Sequence, residues 1–82
     1  MEIYTELLND EIENAYKLIS KNIKKIRLEK KITQESMALS MGFTTATFYT
    51  NAENNRQGKH FNLEHIIKIS KIINVPISSI FD

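Results

Sequence analysis

Few residues in this 82-residue chain have the types and spacing for acid–base or metal chemistry. His60 and His65 are its only histidines, and Glu64 stands beside the second. Such a group could move a proton or hold a metal ion, but no third ligand follows at metal-site spacing. Helical spacing also puts His65 on the polar side with Lys68, so a solvent-exposed surface histidine is expected. There are no cysteines, which excludes disulfides, thiolate metal sites and cysteine nucleophiles. Met37 and Met41, one turn apart, read as core filling. No catalytic site, metal or cofactor is expected.

Other residues offer hydrogen bonds rather than reactions. Thr44, Thr45, Thr47 and Thr50 crowd one short stretch around Tyr49. Threonine is a poor helix former because its branched side chain loses rotamer freedom, so a local demand for helix did not select four of them. The polar segment Glu53–His60 follows, with Asn54, Asn55, Arg56, Lys59 and His60. Charge is split along the chain: residues 1–20 carry five carboxylates against Lys17, net −4, and residues 21–82 carry ten Lys/Arg against five Asp/Glu, net +5. A basic body after an acidic arm is the electrostatic footprint of a phosphate-backbone binder, although solvated surfaces show similar splits.

The elements that must position these residues are helices. Ile12, Tyr16, Ile19, Ile23 and Ile26 recur at three- or four-residue steps and predict a helix from about 10 to 30, capped by Asn9 or Asp10. Residues 1–8 hold Ile3, Tyr4, Leu7 and Leu8, enough for an extra turn, a separate arm or a frayed end. Thr33 opens a second helix that buries Met37, Ala38 and Met41, and Gly42 ends it with a residue that tolerates positive φ. Phe43 re-enters the core. Thr44 caps a third helix from Thr45 to about Ala52, with Phe48 and Ala52 inward. Asn62 caps a fourth, with Leu63, Ile66, Ile67, Ser70 and Ile73 on one face, and Asn74-Val75-Pro76 stops it. One turn around Ser78–Phe81 closes the chain. With 2 Gly and 1 Pro, a turn-rich β fold is excluded, and no apolar run approaches the roughly 20 residues of a membrane span.

Residues 34–53 are then two short helices joined at a tight turn. Ala38 permits close crossing, Gly42 the sharp turn, and Phe48 anchors the second helix by one face, leaving the other free to enter a major groove. The segments IKKIRLEKKITQESMALSMGF and FNLEHIIKISKIINVPISSIF, with Arg27 seven residues before Gln34, Gln-Glu-x-x-Ala-x-x-x-Gly from Gln34 to Gly42, and Val-Pro-x-x-x-Ile-Phe at the end, carry a specific resemblance. Over residues 20–82 the chain resembles the helix-turn-helix domain of the Cro and lambda-repressor (XRE) type. The resemblance implies an all-α, compact five-helix DNA-binding domain, here with residues 1–19 as an acidic extension, either an arm or an extended first helix.

It also implies roles. Gln34 matches the position that contacts phosphate and braces the recognition helix. Thr44, Thr45, Ala46, Thr47, Tyr49 and Thr50 match the outward, base-facing positions. Arg27 matches an arginine that pairs with a glutamate after the recognition helix. Here the chain departs from the family pattern: Ala52 stands at the aligned place, Glu53 comes one later, and Asn51 replaces an apolar residue. A one-residue shift or bulge at the end of the recognition helix would account for both, and leaves open which of Phe48, Tyr49 and Ala52 face inward. Phosphate contacts are expected from Asn54, Asn55, Arg56, Lys59 and His60, with Lys24 or Lys25 on the first helix. With no Arg or Lys on the recognition helix, specificity leans on A·T-rich contacts and DNA shape.

The expected function is a prokaryotic, cytoplasmic repressor that binds double-stranded DNA as a homodimer. Its interface would be the last helix and Ile77–Phe81, with the arm as a further candidate. The competing expectation is an antitoxin-like interaction protein that captures a protein partner through residues 1–19.

Overall fold

The computed structural model describes residues 2–82, with side chains from Leu8 onward. Five helices follow one another: α1 (Glu2–Glu29), α2 (Gln34–Ser40), α3 (Thr47–Glu53), α4 (Leu63–Ile72) and α5 (Ser78–Phe81). No strand occurs among the described residues. Helix α1 packs against α3 and α5, and α2 against α3 and α4. The core is Ile19 and Ile23 of α1, Met37, Ala38 and Met41 around α2, Tyr49 and Ala52 of α3, Phe61, and Ile66, Ile69, Ile73 and Ile80. Helices this short are marginal alone, so burial of this cluster holds them.

The first helix starts eight residues before the expected Asp10, and Asn9 and Asp10 lie inside it rather than capping it. The packing expected of Ile3, Tyr4 and Leu7 falls outside the described side chains. From Leu8 to Ala15 every residue is exposed, and Tyr16 is the next to meet the body, stacked on His60 at 3.9 Å.

Four helices end in the same way. After α1, α2, α3 and α4 the chain places Lys31 (φ 59°), Gly42 (98°), Asn55 (52°) and Asn74 (56°) in the left-handed region. The next residue's N–H then returns to a carbonyl of the last turn: Ile32 to Arg27, Phe43 to Ala38, Arg56 to Asn51 and Val75 to Ser70. This is the Schellman arrangement, which satisfies otherwise orphaned helix carbonyls. Gly42 and Asn74 stand where the sequence announced stops. Lys31, which carries no stop signal of its own, takes the same conformation and ends α1.

Helix starts are more varied. Thr33 Oγ1 accepts the Ser36 N–H at 3.0 Å, as expected. Asn62 accepts from the His65 N–H at 2.9 Å, and the His65 Nδ1 accepts from the Asn62 N–H at 3.1 Å. His65 is therefore not a free surface histidine. It is half-buried, closes a capping box on α4 and packs on Phe48 with ring centroids 5.0 Å apart. Lys68, its expected companion, pairs instead with Glu64 at 3.5 Å. Burial lowers the His65 pKa below its usual value. Neutral His65 thus stabilises the fold above the ordinary histidine pKa of about 6.5, and that contribution is lost as pH falls through the lower folded value. His65→Gln keeps an acceptor at the same capping position and should remove this part of the pH dependence in thermal melts between pH 5 and 7.

Helix α4 is rotated from its expected setting. Ile66, Ile69, Ser70 and Ile73 face the core, whereas Leu63 and Ile67 are 64% and 43% exposed. Ser70 can turn inward because its hydroxyl donates to the Ile67 carbonyl at 2.7 Å, and Ile69 then fills the centre.

Candidate nucleic-acid interface

The setting of α3 decides what this face of the molecule can touch. Glu53, the last residue of α3, is 4% exposed and receives four hydrogen bonds. Arg27 donates through Nε and Nη2, both at 2.9 Å, Tyr49 through its hydroxyl at 2.7 Å and Gln34 through Nε2 at 3.1 Å. Arg27 spends Nη1 on the Ile32 carbonyl at 2.7 Å, tying the end of α1 to the same cluster. Burial alone would raise the Glu53 carboxyl, but the bonds from Arg27, Tyr49 and Gln34 outweigh it and hold it below the usual carboxylate range. The bond to Glu53 likewise raises the Arg27 pKa against burial, and burial followed by that bond pushes the Tyr49 phenol far above its ordinary value. The pair stays ionised at neutral pH.

This cluster corrects the expected register. Tyr49 and Ala52 are fully buried, and Tyr49 cannot reach a base. Phe48, expected as the inward anchor, is half-buried one position off. It packs at the edge of the core, on Phe43 and His65 at 5.2 and 5.0 Å between centroids and edge-on to Phe61 at 6.4 Å. The bulge expected at the end of α3 is absent. Thr44–Ala46 form a bend, α3 opens at Thr47, and Ala46 occupies the N-cap position without a side-chain bond, so Thr44 is not the cap. The helix itself is regular to Glu53, and the later glutamate thus meets Arg27 directly.

Thr44, Thr45 and Thr47 are exposed, and Ala46 and Thr50 are half-buried. Two adjoining hollows join them to α2. One is lined by Glu35, Leu39, Thr44, Thr45 and Ala46, the other by Arg27, Thr33, Gln34, Glu35, Ala46 and Thr50. Thr50 donates to Gln34 Oε1 at 3.1 Å, so Gln34 bridges Thr50 and Glu53 and braces α3 against α2. Leu39, 65% exposed on this face, was not singled out from the sequence. Its signal was an apolar residue outside the Met37–Ala38–Met41 core set.

The expected phosphate ligands do not all converge here. Asn54 donates to the Thr50 carbonyl at 2.9 Å, and Asn55 donates to Ser20 Oγ at 3.2 Å and the Ala52 carbonyl at 3.4 Å. Both amide nitrogens are engaged in closing α3. His60 sits in a separate hollow with Glu13, Tyr16, Asn55, Gly58 and Lys59, where its ring stacks on Tyr16. Arg56, Lys59 and Lys24 are exposed.

A short second helix is thus held by its back to the body, with a threonine-rich front beside the first. The family model for helix-turn-helix proteins (HTH_3) matches residues 23–80. The chain belongs to this helix-turn-helix family. It is a DNA-binding regulator of the Cro and lambda-repressor-like, XRE type. No curated protein and no solved structure matches the chain. In helix-turn-helix terms α2 and α3 are the two motif helices, and α1 before Ile23 lies outside the matched segment. No helix among the described residues is long and apolar enough to cross a membrane.

Tyr49→Phe separates the buried and exposed sides of α3. It keeps the ring and removes one hydrogen bond to a charged acceptor, so urea unfolding should show a loss of about 1.5–3 kcal/mol. DNA affinity, measured under conditions where the variant is folded, should not change. A loss of affinity without loss of stability would place the Tyr49 hydroxyl on the DNA after all.

Proposed function

We propose that the protein is a repressor that binds an inverted repeat in double-stranded DNA as a homodimer, one α3 in each of two successive major grooves. The reading is carried by one observation: Thr44, Thr45 and Thr47 stand exposed at the start of a helix whose other face is locked by Arg27, Glu53 and Tyr49. A rigid helix with hydroxyls and methyls on its free face suits direct readout, in which threonine methyls and Leu39 meet thymine methyls and hydroxyls reach base edges or phosphates. With no guanidinium on α3, A·T-rich half-sites are favoured. A single reader covers few base pairs, so two half-sites about one helical turn apart supply the specificity. Arg56, Lys24 and Lys59 add phosphate contacts, Arg56 foremost.

The test is selection of bound duplexes from a random pool at about 150 mM salt, where non-specific binding is weak. An enriched A·T-rich inverted repeat is expected. A site built on central G·C contacts would overturn the mode of readout, and no enrichment would overturn the function.

A further inference from the structure

Residues before Ile23 lie outside the matched helix-turn-helix segment, yet two of them touch the loop that leaves α3. That loop, 54–61, carries Arg56, the foremost phosphate ligand of the function proposed above. Its conformation is awkward to hold. Asn55, Gln57 and Gly58 are left-handed, with φ of 52°, 54° and 67°, so Arg56 stands between two side chains in a region that disfavours them. Backbone bonds shape the loop: the Arg56 N–H donates to the Asn51 carbonyl at 2.8 Å, and the Lys59 N–H to the Arg56 carbonyl at 2.9 Å. A strained backbone of this kind persists where its surroundings over-determine it.

Helix α1 supplies that surrounding with two ties, one at each end of the loop. At the start, the Ser20 hydroxyl donates to the Ala52 carbonyl at 3.0 Å and accepts from the Asn55 amide at 3.2 Å. Ser20 is 2% exposed, so water does not compete for either bond. At the far end, Tyr16 stacks flat on His60, with centroids 3.9 Å apart and planes at 16°. Between the ties, Gly58 and Lys59 line a hollow with Glu13 of α1. Tyr16 and Ser20 are four residues apart and so share one face of the helix. We propose that Tyr16 and Ser20 are positioning residues for DNA binding: they clamp the loop at both ends and hold Arg56 in place for a backbone phosphate. This rests on the reading of Arg56 as a phosphate ligand. Neither residue touches DNA itself. An arginine carried on a loop ordered in advance loses less freedom on meeting its phosphate, and that saving appears as affinity.

Tyr16→Ala combined with Ser20→Ala cuts both ties without changing charge, and alanine is the best helix former, so α1 should persist. Backbone amide relaxation on the free protein reads the loop directly. Order parameters for residues 56–59 should fall from the rigid value of about 0.85 to below about 0.6, while those of α3 stay high. Binding is read on a mixed-sequence duplex between about 50 and 200 mM salt, at a temperature where every variant is folded. Arg56→Gln in the parent should reduce the slope of log affinity against log salt by about 1, the value of one phosphate contact. The double variant should reduce it equally, and Arg56→Gln added to the double variant should change nothing further. Tyr16→Phe keeps the stacked ring and should behave as the parent. A merely structural role would act through the folded fraction and leave the slope alone. A loop that stays rigid in the double variant overturns the clamp. A loosened loop with an unchanged slope, or an additive effect of Arg56→Gln, overturns its part in DNA binding. A parent slope indifferent to Arg56→Gln overturns the proposal alone, whereas a parent that binds no duplex sinks the DNA-binding function as well.

Discussion

Replacing Glu53 with alanine is expected to lower the unfolding free energy by about 3–5 kcal/mol, because it strands the buried Arg27 guanidinium without its counter-charge. A chain of this length has roughly 4–12 kcal/mol in total, at 0.05–0.15 kcal/mol per residue, so the loss is at least about a quarter of its stability. Three donors lose their acceptor together: Arg27, the Tyr49 hydroxyl and Gln34 Nε2. Urea unfolding followed by circular dichroism measures the effect, and a loss under about 1 kcal/mol would mean that the pair does not hold α3. Arg27→Met with Glu53→Gln removes both charges and keeps an acceptor for Tyr49, so the double variant should recover part of the loss. Acid should act on the same group. The folded Glu53 pKa lies below its ordinary value, so the contribution is complete above about pH 4.5 and is lost as pH falls through the lower folded value.

The second large effect concerns DNA and leaves the fold standing. Thr45→Asp combined with Thr47→Asp puts two negative charges on the exposed front of α3, against a phosphate-lined groove. Specific affinity should fall by at least about 100-fold, combining lost base contacts of roughly 1–3 kcal/mol per position with charge repulsion. The fold should survive because both sites are exposed and carboxylates at a helix start interact favourably with its dipole. Electrophoretic shift on the selected duplex, with a thermal melt as control, reads both quantities. Unchanged binding with an unchanged melt would remove α3 from the groove and with it the proposed mode of readout.

Helix α3 has a back that is locked in the core and a threonine-rich front that is exposed, and only part of that division was legible beforehand. The helical class, the turn at Gly42, the caps Thr33 and Asn62 and the stop at Asn74 follow from local chemistry: side-chain acceptors, tolerance of positive φ, and proline. The Arg27–Glu53 pair was legible only through the family resemblance, with its register left open. Adjacent aromatics in a seven-residue helix give no periodicity that could choose between Phe48 and Tyr49. The choice belongs to tertiary contact: only a phenol at position 49 can fill the core and donate to the carboxylate that Arg27 already holds.

The same limit explains the other differences. His65 reads as polar surface until Phe43 and Phe48 are folded against it. Ile67 and Ile69 are chemically alike, and the body that α4 lies on decides which is buried. Asn54 and Asn55 look like phosphate ligands until the end of α3 takes their amides. The sequence by itself determined the helices, where most of them stop, and a helix-turn-helix family with a threonine-rich second motif helix, because each depends on neighbours within a few residues. Only the tertiary structure decided which face of α3 looks outward and which part of α1 stays exposed, because burial is shared between elements far apart in the chain.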